Sequence, residues 1–346
     1  MPFDANGVLA CRGRPTVVLA SSDPFWHGVG SRLAEHLDRR EWVAHPSPST
    51  FSLAASRLGW PLESTICLGL HAAPFERLVP HLAHGEQIIC LVRDGKAAIE
   101  LAEWLTARGW GSSQLWTLVA LGGPRESVTQ HRAGGYSGVP DATLVAVALD
   151  VKGESGLPRS AGLPDSLFAH DGQISKRPVR ALALSALAPR RGERLWDIGA
   201  GSGSISVEWA LHDGTAIAIE ARGDRAANIR ESAGAFGVNH RITVVEGTAP
   251  AALSGLPLPQ AVFVGGGFDA AMFEGVWAHI PEGARLVVHA VTIETEALLS
   301  ELHRRHGGEL MRIEIAHAGE LGRYRAYEPA RPIVQWSAVK RSGDGE

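Results

Sequence analysis

Residues 194–210, RLWDIGAGSGSISVEWA, constrain the fold of this chain more tightly than any other stretch. Leu195-Trp196-Asp197-Ile198 reads as the end of a buried strand, Gly199, Gly201 and Gly203 as a tight turn, and Ser204–Leu211 as the first turns of a helix. Glycines suit such a turn because a ligand can approach the backbone with no Cβ in the way, beside helix N–H groups that lack intrahelical partners. A strand, a glycine-rich turn and a helix in succession make the nucleotide-binding corner of a doubly wound α/β sheet. Glycine spacing alone selects no ligand. Two carboxylates sharpen the reading: Asp197 just before the glycines, and Glu220 closing a second apolar run, Ile217-Ala218-Ile219-Glu220.

The flanking sequence repeats the same alternation. A helix over 178–187 precedes the corner; after it come a helix over 224–236, a strand over Ile242–Glu246, and a strand over Ala261–Val264 running into Gly265-Gly266-Gly267. A helix over Ala270–His279, a strand over Arg285–Ala290, a helix over 295–306 and strands over 311–316 and 332–339 come next, and the end from Arg341 (RSGDGE) reads as a frayed tail. Strands alternating with helices at this spacing imply a mostly parallel sheet covered on both faces. Upstream, residues 152–164 (KGESGLPRSAGLP) are rich in glycine, proline and serine without periodicity, which marks a linker. The expected division is a first domain over 1–150, a linker over 151–168 and a second domain over 169–340.

The first domain also alternates. TVVLA at 16–20 reads as a buried strand feeding the turn Ser21-Ser22-Asp23-Pro24, residues 31–37 as helical, and Thr50–Leu58 as a capped helix. Residues 66–70, 87–92, 115–121 and 142–149 are strand candidates, with a helix over 97–108 among them. At 346 residues and 45% apolar content the chain can bury two sizeable cores. A formal charge of −4 leaves no basic footprint for nucleic acid or an anionic membrane. No apolar run is long enough to span a bilayer, the N-terminus lacks a signal-peptide pattern, and the three cysteines have no metal-ligand spacing, which together point to a cytoplasmic protein with no metal centre.

A dehydrogenase also places glycines after a strand and an acid at the end of the next, but its G-x-G-x-x-G is spaced differently from this D-x-G-x-G-x-G. Asp197 would repel a pyrophosphate and could hold an ammonium, directly or through water. S-adenosylmethionine offers an amino group there and ribose hydroxyls for Glu220. The plainer reading makes Asp197 a loop cap and Glu220 a solvated strand end.

These residues resemble class I S-adenosylmethionine-dependent methyltransferases. DGQISKRPVRALALSALAP with LWDIGAGSGSISVEW, then EGTAPAAL, AVFVGGGFD and RLVVHAVTIET, resemble more narrowly the decarboxylating methyltransferase domain of cobalamin biosynthesis. LASSDPFWHGVGSRLA, PSPSTFSLAASRLGWPL and ALGGPRE resemble a tetrapyrrole methylase. The pair in one chain is similar to the decarboxylating precorrin C5,15-methyltransferase family. The resemblance implies a partial tetrapyrrole-methylase-like domain followed by a Rossmann-like methyltransferase domain. It implies methylation of the meso carbons C15 and C5 with loss of carbon dioxide from the C12 acetate, taking precorrin-6B to precorrin-8. The family's first domain opens with a strand and a glycine-rich loop that this chain lacks, so Met1 reads as a start assigned too late, and C5 methylation depends on that opening.

By the same resemblance Ser175, Asp197, Gly199, Ala200, Gly201, Ser202, Gly203, Glu220 and Ala249 hold S-adenosylmethionine. The substrate, a corrinoid polycarboxylate, calls for cations lining its cleft, for which Lys176, Arg177, Arg180, Arg323 and Arg325 are candidates. Gly266 would let a flat macrocycle approach the backbone. His289 and Glu294 are candidate proton-transfer groups at the decarboxylating centre, against plainer readings as a core-edge histidine and a helix-cap carboxylate. The resemblance further implies a homo-oligomer. The competing function is a methyltransferase of the same fold acting on RNA or protein, its first domain serving only for docking or oligomerisation.

Overall fold

The computed structural model describes residues 4–20, 22–138 and 140–341. The chain divides into two compact units, Met1–Gly156 and Leu157–Glu346. The first unit contains the short helices α1 (Ala5–Leu9) and α2 (Val29–Ala34), then α3 (Thr50–Leu58), β1 (Ile66–Gly69), β2 (Gln87–Leu91), α4 (Gly95–Ala107), β3 (Gln114–Val119), β4 (Ser127–Arg132) and β5 (Val145–Asp150). Among the described residues the strands form one sheet in the order β1-β2-β5-β3-β4, parallel only at β1–β2. Alternation of side chains splits its core into two layers. Ile88, Cys90, Val147 and Leu149 pack with Leu101 and Leu105 of α4, while Ile89, Ala146 and Ala148 pack with Phe51 and Ala54 of α3. Ser49 caps α3 by accepting the N–H of Ser52 at 3.1 Å, and Asp94 caps α4 by accepting that of Ala97 at 2.8 Å.

The structure corrects the reading of TVVLA. Residues 16–20 pair with no strand among the described residues, and Val17 and Leu19 are 85% and 92% exposed. A β-branched run becomes a strand only where another strand offers its N–H and C=O groups, and none of β1 to β5 does. Of the turn that comes next, Ser21 lies outside the described residues. Asp23 Oδ1 accepts the N–H of Phe25 at 2.8 Å. The strand β4, exposed along its whole length, lacks the apolar alternation that would announce it.

The second unit runs α5 (Arg177–Leu187), β6 (Arg194–Ile198), α6 (Ser204–Leu211), β7 (Thr215–Glu220), α7 (Gly223–Ala235), β8 (Ile242–Glu246), β9 (Ala261–Val264), α8 (Ala270–His279), β10 (Arg285–Ala290), α9 (Ile293–His306), β11 (Glu309–Ile313), β12 (Ala316–Leu321), β13 (Tyr324–Pro329) and β14 (Ile333–Val339). Its main sheet has the order β11-β14-β10-β9-β6-β7-β8, with β14 antiparallel to both neighbours and the five strands from β10 to β8 parallel. Leu195, Phe263 and Val287 face α5 and α6; Trp196, Ile198, Val262, Val264, Leu286 and Val288 face α8 and α9. Three fully buried tryptophans satisfy their indole N–H groups on backbone carbonyls: Trp196 on Pro257, Trp209 on Glu193 and Trp336 on Gly307. No helix among the described residues is long and apolar enough to cross a membrane.

Two features of this unit depart from its sequence pattern. The two-stranded ribbon β12–β13 has no apolar face of period two in HAGELGRYRAYEP to announce it. The stretch expected as a loose linker is packed, its beginning and its end in different units. Ser112 Oγ donates to Lys152 O at 2.7 Å in the first unit, while Gly162 and Leu163 donate their N–H groups to Glu208 at 2.6 and 3.0 Å in the second. The expected frayed tail lies, from 342 onward, outside the described residues.

Candidate active site

The chain winds from β6 outward to β8, then returns to β9 on the other side of β6. This is a topological switch point, and open α/β sheets bind ligands in the crevice at the carboxyl ends of the strands there. The loops leaving β6 and β9 meet at it. Gly265 donates its N–H to Ile198 O at 3.2 Å, and a Cβ on Gly199 would stand 3.3 Å from Gly266 O. Gly199, Gly201 and Gly203 have φ of 66°, 58° and 70°, in the left-handed region that only glycine adopts without strain. At Gly203 there is a steric reason as well, since a Cβ would lie 2.7 Å from Ile229 Cγ2 of α7.

The loop is held by backbone and by one carboxylate. Gly199 and Ala200 donate to Ile219 O at 2.9 and 3.1 Å, and Gly203 to Ala200 O at 2.8 Å. Glu220, at the end of β7 and 5% exposed, accepts the N–H of Gly201 at 2.8 Å on Oε2 and that of Arg222 at 3.0 Å on Oε1. It therefore sets the loop's shape and has lone pairs left for a hydroxyl ligand. Asp197 is fully buried. Its Oδ2 accepts both the hydroxyl and the N–H of Ser206 on α6, at 2.6 and 3.1 Å. Its Oδ1 has no hydrogen-bond partner among the described residues. Burial, with Glu220 as a further negative charge nearby, raises its pKa to about 6 even though the Ser206 bonds pull the other way. A buried carboxylate oxygen left unpaired at the foot of a glycine loop is costly unless a ligand's donor, or a water, completes it.

A family model described as the precorrin methyltransferase domain matches residues 166–340, and one described as tetrapyrrole (corrin/porphyrin) methylases matches residues 7–134. The precorrin-6Y C(5,15)-methyltransferase [decarboxylating] of Sinorhizobium sp is 48% identical over 339 residues, covering 96% of this chain and 82% of that protein. The chain belongs to the precorrin-6Y C5,15-methyltransferase (decarboxylating) family. A Mycobacterium tuberculosis member (strain CDC 1551 / Oshkosh) is 39% identical over 331 residues, covering 94% of this chain and 82% of that one. The crystal structure of the C-terminal domain of precorrin-6Y C5,15-methyltransferase from Rhodobacter capsulatus matches with a TM-score of 0.53 at 55% identity, over 53% of this chain and 100% of that domain.

For a member of this family the remaining candidates fall into three groups. Ser202 is buried within the glycine loop, and Ala249 lies in the apolar core that Trp196, Ile198 and Ile219 share with α8 and α9. Ser175 is half-buried just before α5. The segment leading to it reaches the loop, for a Cβ on Gly201 would be 3.9 Å from Gln173 O. Residues 171–173 are in turn fastened by Arg225 of α7, which donates to Asp171 Oδ2 at 3.0 Å and to Gln173 Oε1 at 2.8 Å.

The cationic group is not one group. Arg180 is fully buried and donates to Glu208 at 2.5 Å, Asp165 at 3.1 Å, Ser175 O at 2.5 Å and Leu163 O, with its guanidinium over the Phe168 ring. Every face of it is used, so the expected substrate cation is instead the clamp that holds residues 162–175 on the second unit. Lys176 and Arg177 are exposed, Lys176 lying 3.8 Å from Asp165. Arg323 and Arg325 sit on the exposed ribbon β12–β13, where Arg323 covers the Tyr324 ring.

The proton-transfer candidates differ as sharply. His289 is 6% exposed and packs edge-on against Phe263 with ring centroids 5.0 Å apart; its Nε2–H donates to Gln335 Oε1 at 2.9 Å. Burial lowers its pKa, which favours the neutral ring. The Phe263 ring in turn lies beside Gly265, since a Cβ there would be 3.1 Å from Phe263 Cε1. Glu294 is exposed in the first turn of α9. Ser206, Gln173, Arg225 and Gln335 escape a reading of the sequence. Ser206 alone carries a signal there, as a serine between the apolar Ile205 and Val207.

Proposed function

We propose that the second unit binds S-adenosylmethionine at the β6–β7 corner and methylates C15 of a corrin precursor while the C12 acetate loses carbon dioxide, the step from precorrin-6B to precorrin-8. The observation that carries the cofactor assignment is the unpaired, buried Asp197 Oδ1, which asks for a donor where this cofactor has an ammonium. Glu220 supplies acceptors for ribose hydroxyls, and Ala249 an apolar surface for adenine. Gly199, Ala200, Gly201, Ser202 and Gly203 leave room for the amino-acid end, with Ser175 on the facing segment. When bound, the cofactor supplies a methyl group on a sulfonium, already a good leaving group. The protein's part is to hold a nucleophilic carbon against it, which is a matter of proximity and orientation.

Loss of carbon dioxide from an acetate leaves a carbon that must take a proton. His289, neutral and with Nε2–H fixed by Gln335, keeps Nδ1 as its proton-accepting nitrogen and is the proposed relay, with Glu294 as the solvent-side acid. Gly266 leaves space for the ring, and Lys176, Arg177, Arg323 and Arg325 are cations available to peripheral carboxylates. The C5 transfer is proposed for the first unit only where the glycine-rich opening of its family precedes it. The reading as a cytoplasmic enzyme rests on its three cysteines, none in a disulfide, and assembly into a homo-oligomer is a further expectation that sedimentation would test.

Calorimetry on the full chain with S-adenosylhomocysteine tests the cofactor. Binding of a nicotinamide dinucleotide in its place would sink the assignment. With labelled cofactor and corrinoid, His289→Gln is expected to reduce carbon dioxide release about tenfold or more while methyl transfer persists. Equal loss of both would remove His289 from the proton path.

A further inference from the structure

Folding leaves apolar surface uncovered at the carboxyl edge of the second unit's sheet. Val291 and Ile293, in the connection from β10 to α9, are 50% and 82% exposed. This connection is fastened. Thr292 between them caps α9, its Oγ1 accepting the N–H of Thr295 at 3.3 Å, and Thr295 Oγ1 donates to Phe268 O at 3.5 Å. That last bond ties the connection to the loop leaving β9, the loop already placed beside Gly199. On that loop a Cβ at Gly266 or Gly267 would meet nothing within 4 Å among the described residues. Two exposed aliphatic side chains thus lie on a connection that is tied to a loop of bare glycine backbone with open space beside it, at the end of the sheet where this fold binds its ligands.

We infer that Val291 and Ile293 are substrate-positioning residues, an aliphatic rim on which one face of the corrinoid ring rests while the Gly265–Gly267 backbone admits its edge. The inference rests on the corrinoid reading of the site. A flat macrocycle ringed by carboxylates has apolar faces and a charged periphery, so its faces need apolar contact and its rim needs water or cations. Covering one such aliphatic side chain strengthens binding by about tenfold or more.

Steady-state kinetics of the full chain with the corrinoid precursor tests this. Both positions are exposed, so replacing them does not threaten folding. For the double variant Val291→Ser/Ile293→Ser the corrinoid KM should rise about a hundredfold with a much smaller change in kcat and unaltered affinity for S-adenosylhomocysteine, while Ile293→Leu keeps the wild-type KM. An unchanged KM in the double variant overturns the inference, as does an equal loss of S-adenosylhomocysteine affinity. A fall in sedimentation coefficient with KM unchanged gives the patch to a second copy of the chain instead. Wild-type protein that binds S-adenosylhomocysteine yet never turns over the corrinoid removes the functional reading and the rim together; turnover with unchanged KM removes the rim alone.

Discussion

The two units treat similar apolar runs in opposite ways. In the second, the run ending in Asp197 is hydrogen-bonded on both sides, to β7 and β9, and every residue from Leu195 to Ile198 is buried. In the first, TVVLA is as apolar and more β-branched, yet it pairs with no strand among the described residues and leaves Val17 and Leu19 exposed. The difference is not in the runs. It lies in whether the fold brings a partner strand alongside, which no local pattern states. The same contrast holds for charge. Arg180 and Arg323 look alike in sequence, but one is enclosed by Glu208, Asp165 and two carbonyls while the other lies on an exposed ribbon.

The sharpest way to break that contrast is Arg180→Leu. It leaves the buried Glu208 without its cation, and losing one partner of a buried pair costs roughly 3–5 kcal/mol. Urea unfolding should register that loss, and the 162–175 segment should become protease-sensitive. A variant of unchanged stability with a raised corrinoid KM would restore Arg180 to the cleft. Next in size is Asp197→Asn, which keeps the shape and removes the charge. Loss of a charged hydrogen bond is worth about 1.5–3 kcal/mol, so S-adenosylhomocysteine should bind about 10- to 100-fold more weakly in calorimetry while far-ultraviolet circular dichroism stays as in the wild type. Affinity equal to the wild type would mean that Oδ1 serves only the fold.

What the sequence makes legible depends on the range of the forces involved. The β6 corner is readable because its determinants are local: an apolar run, three glycines with φ between 58° and 70°, and a helix that begins at Ser204. The acid at Glu220 can be placed by counting to the end of the next strand. Ser206 as the partner of Asp197, Arg225 as the anchor of residues 171–173 and Gln335 beside His289 all depend on which elements become neighbours, and Gln335 is 46 residues from its histidine. Arg180 is misplaced by sequence reasoning for the same cause: its partners span residues 163 to 208. The ribbon β12–β13 is invisible in the pattern because neither of its faces is buried, so selection for a core left no period in it.

A third, smaller effect arises from Asp197 itself. Its pKa of about 6 exceeds the ordinary carboxyl value of 3.8, so the folded apo protein holds that proton more tightly than the unfolded chain. Between those values the stability of the apo protein therefore falls as pH rises, and the contribution is fully present only below about 4. Ligand binding moves the other way, because an ammonium needs the ionised carboxylate. Affinity for S-adenosylhomocysteine should rise about tenfold from pH 5 to pH 7, as the ionised fraction climbs from about a tenth to about nine-tenths. Asp197→Asn should flatten the profile. A wild-type affinity independent of pH over that range would show that the ligand's amino group is held elsewhere.

The smallest expected effect is the most direct probe of the first unit. Val17→Ser and Leu19→Ser change residues that a pattern-based reading buries and the structure exposes. Burial would make each replacement cost on the order of 2–5 kcal/mol through lost apolar contact and the cavity left behind. Exposure makes each change worth no more than about 0.5 kcal/mol, and removing aliphatic surface from water contact should, if anything, improve solubility. Chemical unfolding of the double variant decides between them, since the two expectations differ several-fold in size. A midpoint within error of the wild type means that residues 16–20 have no packed partner in solution. A large fall in the midpoint means that another surface covers them, and hydrogen exchange at the Val17 and Leu19 amides would then be slow where an unpaired extended segment exchanges at once.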